Sequence, residues 1–168
     1  MNSEGKLIVC VRKRPIFSKE EVNGEIDALS CSNPLIRVHE CKFKVDGVTK
    51  FVDNNQFGFD HTFSELDSTK DVYDFSLKPS IELVIGGGIV TSFAYGQTGS
   101  GKTYTMLGIQ ENAINELFDK VRASPVHPNT GFFLAFFEIY GGECYDLLNK
   151  GCKIKILEDK NGAVRFLG

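Results

Sequence analysis

The octapeptide Gly96-Gln97-Thr98-Gly99-Ser100-Gly101-Lys102-Thr103 constrains this chain more than any other segment. It fills every position of the pattern G-x-x-x-x-G-K-[ST], and it directly follows the apolar run Ile89 to Ala94. Each residue type has a physical task. Gly96, Gly99 and Gly101 permit backbone angles closed to other residues and let the chain approach an anion with no Cβ in the way. Consecutive backbone N–H groups make an anion cradle, and a helix opening at the loop adds the positive end of its dipole. Lys102 brings a mobile positive charge to the outer phosphates of a nucleotide, and Thr103 offers a hydroxyl to Mg²⁺. The pattern predicts a strand over Ile89–Ala94, the phosphate loop, and a helix that starts inside the loop and ends near Gly108.

The rest of the chain is read around that unit. Leu7 to Val11 predicts a short buried strand ended by Arg12-Lys13-Arg14-Pro15, because proline cannot donate to a ladder. Ser18 to Ala28 reads as a loop. Ile36 to Phe63 holds two or three strands, with Phe57, Phe59 and Phe63 at alternating positions. Ser68 is an N-cap for a helix from Thr69, Pro79 breaks it, and a second helical stretch runs to about Ile85. Asn112 to Arg122 carries Ile114, Leu117, Phe118 and Val121 at helical spacing, which is a packing stripe. Phe132 to Tyr140 is the strongest strand signal. Asn161-Gly162 is a turn that pairs Cys152–Leu157 with Val164–Leu167. Strands alternating with helices indicate an α/β fold.

Composition narrows the function. The 168 residues suit one domain, and a net charge of −3 argues against a nucleic-acid partner. The longest apolar run, Leu83 to Ala94, is interrupted by glycines and is shorter than the about 20 residues of a membrane span, so no membrane partner is expected. No pair among Cys10, Cys31, Cys41, Cys144 and Cys152 has metal or redox spacing, which predicts reduced thiols and a cytosolic protein. His39, His61 and His127 belong to no motif and are read as surface or core residues, not as metal ligands.

Three segments together resemble the kinesin motor domain. They are Phe93 to Met106 around the phosphate loop, Val9 to Pro15, and Phe136-Phe137-Glu138-Ile139-Tyr140 followed by Tyr145-Asp146-Leu147-Leu148-Asn149. In the family the last is a core strand followed by a short helix. The resemblance covers nearly the whole chain, residues 1–168, as the N-terminal part of a motor domain. It implies an α/β, P-loop NTPase fold of the kinesin motor type: a mixed, mostly parallel central sheet flanked by helices, here incomplete. It implies ATP and Mg²⁺ as ligands, with Gly96 to Thr103 on the phosphates. Arg12, Arg14, Pro15 and Tyr104 would lie around the adenine, with Arg14 open to the alternative of a surface salt bridge. Tubulin and microtubules are the implied partners, and the cytoplasm with its microtubule cytoskeleton the implied location. The oligomeric state is left open.

Val11 to Pro15, Lys44-Val45-Asp46 and Ile156-Leu157-Glu158-Asp159 resemble, more narrowly, the kinesin-13 group, which uses ATP to depolymerise microtubule ends. There Lys44, Val45 and Asp46 would form a tubulin-binding finger. Family members also carry a switch I segment, Asn-x-x-Ser-Ser-Arg-Ser-His, and a switch II segment, Asp-x-x-Gly, and both are read as missing here. In the kinesin sheet the first strand, the strand before the phosphate loop and the strand at Phe132–Tyr140 have neighbours from the later half, so these three are expected not to pair with one another. The leading reading is an ATP-driven microtubule motor present as its N-terminal part. The alternative is a non-catalytic truncated fragment that binds tubulin.

Overall fold

The computed structural model describes residues 7–124, 130–162 and 164–167. It divides into two compact units, Met1–Val126 and His127–Gly168. His127 lies outside the described residues.

The first unit begins with β1 (Cys10–Arg12), α1 (Ser18–Val22) and the strands β2 (Leu29–Ser32), β3 (Leu35–Phe43), β4 (Lys50–Gly58) and β5 (His61–Phe63). α2 (Thr69–Ser76), a 3-10 turn at Lys78–Ser80, α3 (Ile81–Ile85) and the long α4 (Lys102–Ala123) follow. β1 pairs with β5 in parallel, Cys10 opposite His61 and Arg12 opposite Phe63. β2, β3 and β4 form an antiparallel sheet, with β3 and β4 in register from Leu35–Gly58 to Phe43–Lys50.

Local chemistry explains most of these elements. Ser68 caps α2 as expected: its hydroxyl accepts from the Asp71 N–H, and the Asp71 carboxylate accepts from the Ser68 N–H at 2.8 Å. The Ser68 hydroxyl, which also donates to that carboxylate at 2.5 Å, and the Ser68 N–H hold the Asp71 carboxyl below the usual carboxylate range. Pro79 sits in the 3-10 turn where the helix was expected to break. The segment expected to be a loop from Ser18 contains α1. Its start is fixed by Glu20, whose carboxylate accepts from the Phe17 N–H at 2.8 Å.

α4 departs furthest from its expected boundaries. It runs 22 residues from Lys102 straight through Gly108. Glycine inside a helix costs about 1 kcal/mol relative to alanine. Here it has a packing reason, because a Cβ at Gly108 would collide with the Thr69 side chain at the start of α2. The inward stripe of α4 is Ile109, Ala113 and Leu117, spaced four apart. Ile114 and Phe118 of the expected stripe are on the exposed side.

The core lies where α2, α3 and α4 meet the end of β5. Phe63, Val72, Tyr73, Ile81, Ile109 and Ala113 are buried together, with Cys10, Leu77, Ile85 and Leu117 packed against them. The Tyr73 hydroxyl donates to Glu116 at 2.8 Å and so joins α2 to α4 by a polar contact at the core's edge. Burial, with that bond, raises the Tyr73 pKa above the ordinary tyrosine value.

The second unit is an antiparallel meander of β6 (Phe137–Tyr140), β7 (Glu143–Asp146), β8 (Cys152–Glu158) and β9 (Val164–Leu167). The expected β8–β9 hairpin forms, and Gly162, at φ 78°, supplies the left-handed turn position. Two expectations fail here. The strand expected over Phe132–Tyr140 is confined to its last four residues, and Phe132 to Phe136 is irregular, with Phe133 fully exposed. Residues 145–149, expected to hold a short helix, are the end of β7 and a turn, with the Leu147 N–H donating to the Phe136 carbonyl at 2.8 Å.

The α/β class is as expected. Parallel pairing is confined to β1–β5 among the described residues, and every other pair is antiparallel. Residues 89–97 form no strand, and Ile89 and Phe93 are largely exposed. A central strand needs ladder partners to satisfy its N–H and C=O groups, and no strand among the described residues pairs with this run. β1 pairs with β5 and β6 with β7, and residues 89–94 join no ladder among the described residues. No helix among the described residues is long and apolar enough to cross a membrane. All five cysteines are unpaired.

Candidate functional site

The loop before α4 has the backbone that its glycines predict. Gly96, Gly99 and Gly101 have φ of 152°, 83° and 93°. At Gly96 a side chain is excluded twice over, since an added Cβ would also lie 2.6 Å from Ser100 Oγ. Gly101 is the N-cap of α4, and the first helical bond runs from the Thr105 N–H to the Gly101 carbonyl at 3.0 Å. Lys102, Thr103 and Tyr104 are thus the first three helical residues, whose N–H groups have no intrahelical acceptor.

Lys102 lies across this loop. Its Nζ donates to the Gly96 carbonyl at 2.7 Å and to the Gln97 carbonyl at 2.8 Å. The Ser100 N–H donates to the Gln97 carbonyl at 3.2 Å and rounds the turn. Gln97, Thr98 and Thr103 are exposed. The donor set suits a phosphate: an ammonium, free helix-start N–H groups, and no carboxylate in the loop. The Thr103 hydroxyl next to Lys102 suits Mg²⁺, which takes oxygen ligands and retains water. To reach a phosphate the Lys102 ammonium must exchange the two loop carbonyls for it.

Arg12 stands at the first turn of α4. Its guanidinium donates to Thr105 Oγ1 at 3.1 Å, to Thr69 Oγ1 at 3.0 Å and to the Asp67 carbonyl at 3.2 Å. It also lies over the Tyr104 ring, 5.3 Å from the centroid. Residues 92 positions apart in the chain are thereby joined beside the loop. Its backbone is set by the parallel register of β1 against β5, carried one residue further by the Lys13 N–H donating to the Phe63 carbonyl at 2.8 Å.

The other two residues of the basic motif are engaged in the structure. Lys13 is buried, paired with Asp27 at 2.5 Å and Glu65 at 3.0 Å. Burial opposes its charge, but the two carboxylates outweigh that and keep its pKa above the ordinary lysine value. A lysine between two arginines on a half-buried strand end gave no sequence signal for this role. Arg14 makes the salt bridge that was open as its alternative. It is bidentate to Glu20, at 2.8 and 2.7 Å, and its guanidinium stacks 4.5 Å from the Phe17 ring centroid. The Arg14 hydrogen bonds, with the Phe17 N–H, pull the Glu20 pKa down to about 2. Pro15 is exposed beside it.

Lys44, Val45 and Asp46 form the tip of the β3–β4 hairpin. The Gly47 N–H closes a turn on the Lys44 carbonyl at 2.9 Å, and Val45 is fully exposed. Asp46 is turned inward on the loop: its carboxylate accepts from the Val48 and Thr49 N–H groups at 3.0 and 2.9 Å and from Thr49 Oγ1 at 2.5 Å. These bonds hold the Asp46 carboxyl below the usual range.

His39 and His61 have ordinary partners. His39 bridges Ser30 and Asn54 at 2.8 and 2.6 Å, and His61 stacks 4.2 Å from Phe75. Among the described residues no group of three potential metal ligands forms.

The bare spacing Asp-x-x-Gly does occur once, at Asp159-Lys160-Asn161-Gly162, contrary to expectation. There Asp159 builds the β8–β9 turn: it accepts from the Asn161 N–H at 2.9 Å and pairs with Arg165 at 2.9 Å. That carboxylate is consumed by the hairpin, so the match in spacing carries none of the switch chemistry.

A glycine-strained loop that opens a long helix, with a lysine at the helix start, places the chain among the phosphate-loop α/β proteins. The family model described as the kinesin motor domain matches residues 12–167, and the chain belongs to that family. Diatom spindle kinesin-1 of Cylindrotheca fusiformis is 39% identical over 99% of this chain. Kinesin-like protein KIF24 of Mus musculus is 38% identical over 97% of it. The chain spans 27% and 12% of the lengths of those two relatives.

Proposed function

We propose that this chain supplies the nucleotide-binding part of an ATP-driven microtubule motor. Gly96 to Thr103 hold the phosphates of ATP, Lys102 meets the outer phosphates, and the Thr103 hydroxyl ligates Mg²⁺. Arg12, Tyr104 and Pro15 receive the adenine. The observation that carries this reading is the junction of Arg12, Thr105 and Tyr104 on the first turn of the helix that the loop opens. Nothing in a strand end or a helix start alone would bring an arginine over that tyrosine beside a phosphate cradle. Phosphoryl transfer also needs groups that position the attacking water, and these 168 residues contain no Asn-x-x-Ser-Ser-Arg-Ser-His segment.

Titration with a fluorescent ATP analogue, with and without Mg²⁺, tests the reading. Saturable binding that unlabelled ATP displaces is expected, tighter with Mg²⁺ present. Thr103→Ala is expected to abolish most of the Mg²⁺ dependence while leaving Mg²⁺-free affinity within about twofold, since only the metal contact is lost. Failure of ATP to displace the analogue would exclude the site.

On the finer question of mode, the hairpin tip supports a depolymerising motor. Its internal bonds make Asp46 the residue that shapes the loop, and leave Lys44 and exposed Val45 to meet a partner. Such a tip drives filament ends apart only if it binds curved tubulin more tightly than straight. In a motor carrying this chain, replacing Lys44, Val45 and Asp46 together by alanine is expected to reduce the shortening of stabilised microtubules at least tenfold at unchanged basal ATPase. Microscopy of filament length reads it, and unchanged shortening would refute the assignment.

A further inference from the structure

We propose that Arg14, Phe17 and Glu20 form a clasp that positions Pro15 against the nucleotide base, so that Arg14 is a positioning residue and does not itself touch the base. The inference rests on the nucleotide reading above and refines it.

Hydrogen bonds and a cation–ring contact close the clasp. The Arg14 guanidinium donates two parallel bonds to the Glu20 carboxylate, at 2.8 and 2.7 Å, and a third to the Pro15 carbonyl at 2.9 Å. Its flat face lies on the Phe17 ring at 4.5 Å. Glu20 also accepts from the Phe17 N–H at 2.8 Å. The Glu20 and Glu21 N–H groups both donate to the Phe17 carbonyl, at 2.8 and 3.0 Å, completing the turn into α1.

A fork-to-fork arginine–carboxylate pair fixes orientation as well as distance, which a lysine cannot reproduce. An arginine so engaged has its planar face and most of its donors committed within residues 14–20, and little is left for a base. What the arrangement does fix is Pro15. On one side of it the chain is pinned by the β1–β5 ladder and by Lys13 with Asp27 and Glu65. On the other it is pinned by the clasp. Arg12, two residues before Arg14, already lies over Tyr104. Pro15, three residues after Arg12, is thus held between two fixed points, as a rigid apolar wall must be if it is to meet a ring without an entropic cost at binding.

The test uses two probes, ATP and inorganic tripolyphosphate, each competing against a fluorescent ATP analogue. Lys102→Ala, the control for the nucleotide reading, should weaken both probes. Glu20→Gln and Arg14→Gln should each weaken ATP about three- to tenfold and leave tripolyphosphate within twofold. The double substitution should be no worse than either single one, because both break one device. The exchange of the two residues, Arg14→Glu with Glu20→Arg, should restore at least half of the lost ATP affinity. Circular dichroism confirms that each variant is folded, and conservative Arg14→Lys covers a variant that is not.

The outcomes are distinct. If wild type binds neither probe, or Lys102→Ala matches wild type, the nucleotide reading fails. If Lys102→Ala behaves as stated but Glu20→Gln binds ATP as wild type does while Arg14→Gln does not, Arg14 contacts the base directly and the clasp is refuted. Equal loss for ATP and tripolyphosphate in the clasp variants would also refute it, since that is general unfolding of the site.

Discussion

Lys102→Ala is expected to weaken Mg·ATP binding by about 10- to 100-fold. A hydrogen bond from an ammonium to an anionic oxygen contributes about 1.5–3 kcal/mol, and each 1.4 kcal/mol is a factor of about ten in affinity. The structure moderates that figure in a defined way. The ammonium is already bonded to the Gly96 and Gln97 carbonyls, at 2.7 and 2.8 Å. Binding exchanges bonds to neutral carbonyls for bonds to phosphate, and the measured loss is the difference. Deleting Lys102 also deletes the two bonds that draw the loop together, so the phosphate-binding conformation has to be assembled at the time of binding. The two effects oppose each other: the exchange of bonds lowers the loss, and the unassembled loop raises it. Lys102→Arg should recover only part of the affinity, because a planar fork cannot place a point charge where a flexible ammonium does. Competition titration at fixed ionic strength reads the result. Wild-type affinity in Lys102→Ala would overturn the assigned role.

What could be read from the sequence, and what could not, divides by the range of the forces involved. The start of α4, the Ser68 cap of α2 and the β8–β9 turn are set by chemistry within a few residues, and each was legible. So was the loop backbone, because only glycine takes φ near 90° without strain. Residues 89–94 and 132–136 are as apolar and β-branched or aromatic as any strand, yet they are irregular and exposed. Strand propensity describes a fit to neighbours, and the sequence of the segment itself says nothing about whether the neighbours are in place.

The helix through Gly108 was hidden for a related reason. A glycine reads as a break until the close approach of Thr69 is known. Arg14 shows the same limit at the site. Its place in an Arg-Lys-Arg-Pro motif points to the base, and only the fold reveals Glu20 and Phe17 around it. Arg12 lies over the Tyr104 ring across 92 positions of sequence, and no local rule could have found that Lys13, between Arg12 and Arg14 in the motif, is buried against Asp27 and Glu65.

Phe63→Ala is expected to destabilise the first unit by about 3–5 kcal/mol, the range for deleting a buried aromatic side chain. Phe63 is 2% exposed and sits at the centre of the cluster with Val72, Tyr73, Ile81, Ile109 and Ala113. Its ring is 4.5 Å from His61 and meets Phe75 edge-on at 6.2 Å. The cavity left by alanine would open between α2, α3 and α4, three elements with few other buried contacts to close on it. Domain stabilities of about 5–15 kcal/mol leave a narrow margin after such a loss. The site should register it as well. The Phe63 carbonyl accepts from the Lys13 N–H at 2.8 Å, and Phe63 is the register partner of Arg12. A loosened β5 therefore releases Arg12 from Tyr104, and ATP affinity should fall further than the unfolded fraction alone accounts for. Phe133→Ala is the matched comparison, because Phe133 is fully exposed and such a surface change is worth within about 0.5 kcal/mol. Urea unfolding followed by far-ultraviolet circular dichroism compares the two. With m of about 1–3 kcal/mol/M for a chain of this size, the Phe63→Ala midpoint should drop by about 1 M or more, while that of Phe133→Ala stays within about 0.5 M of wild type. Coincident midpoints for the two variants would mean that the cluster around Phe63 is not the core that holds the site.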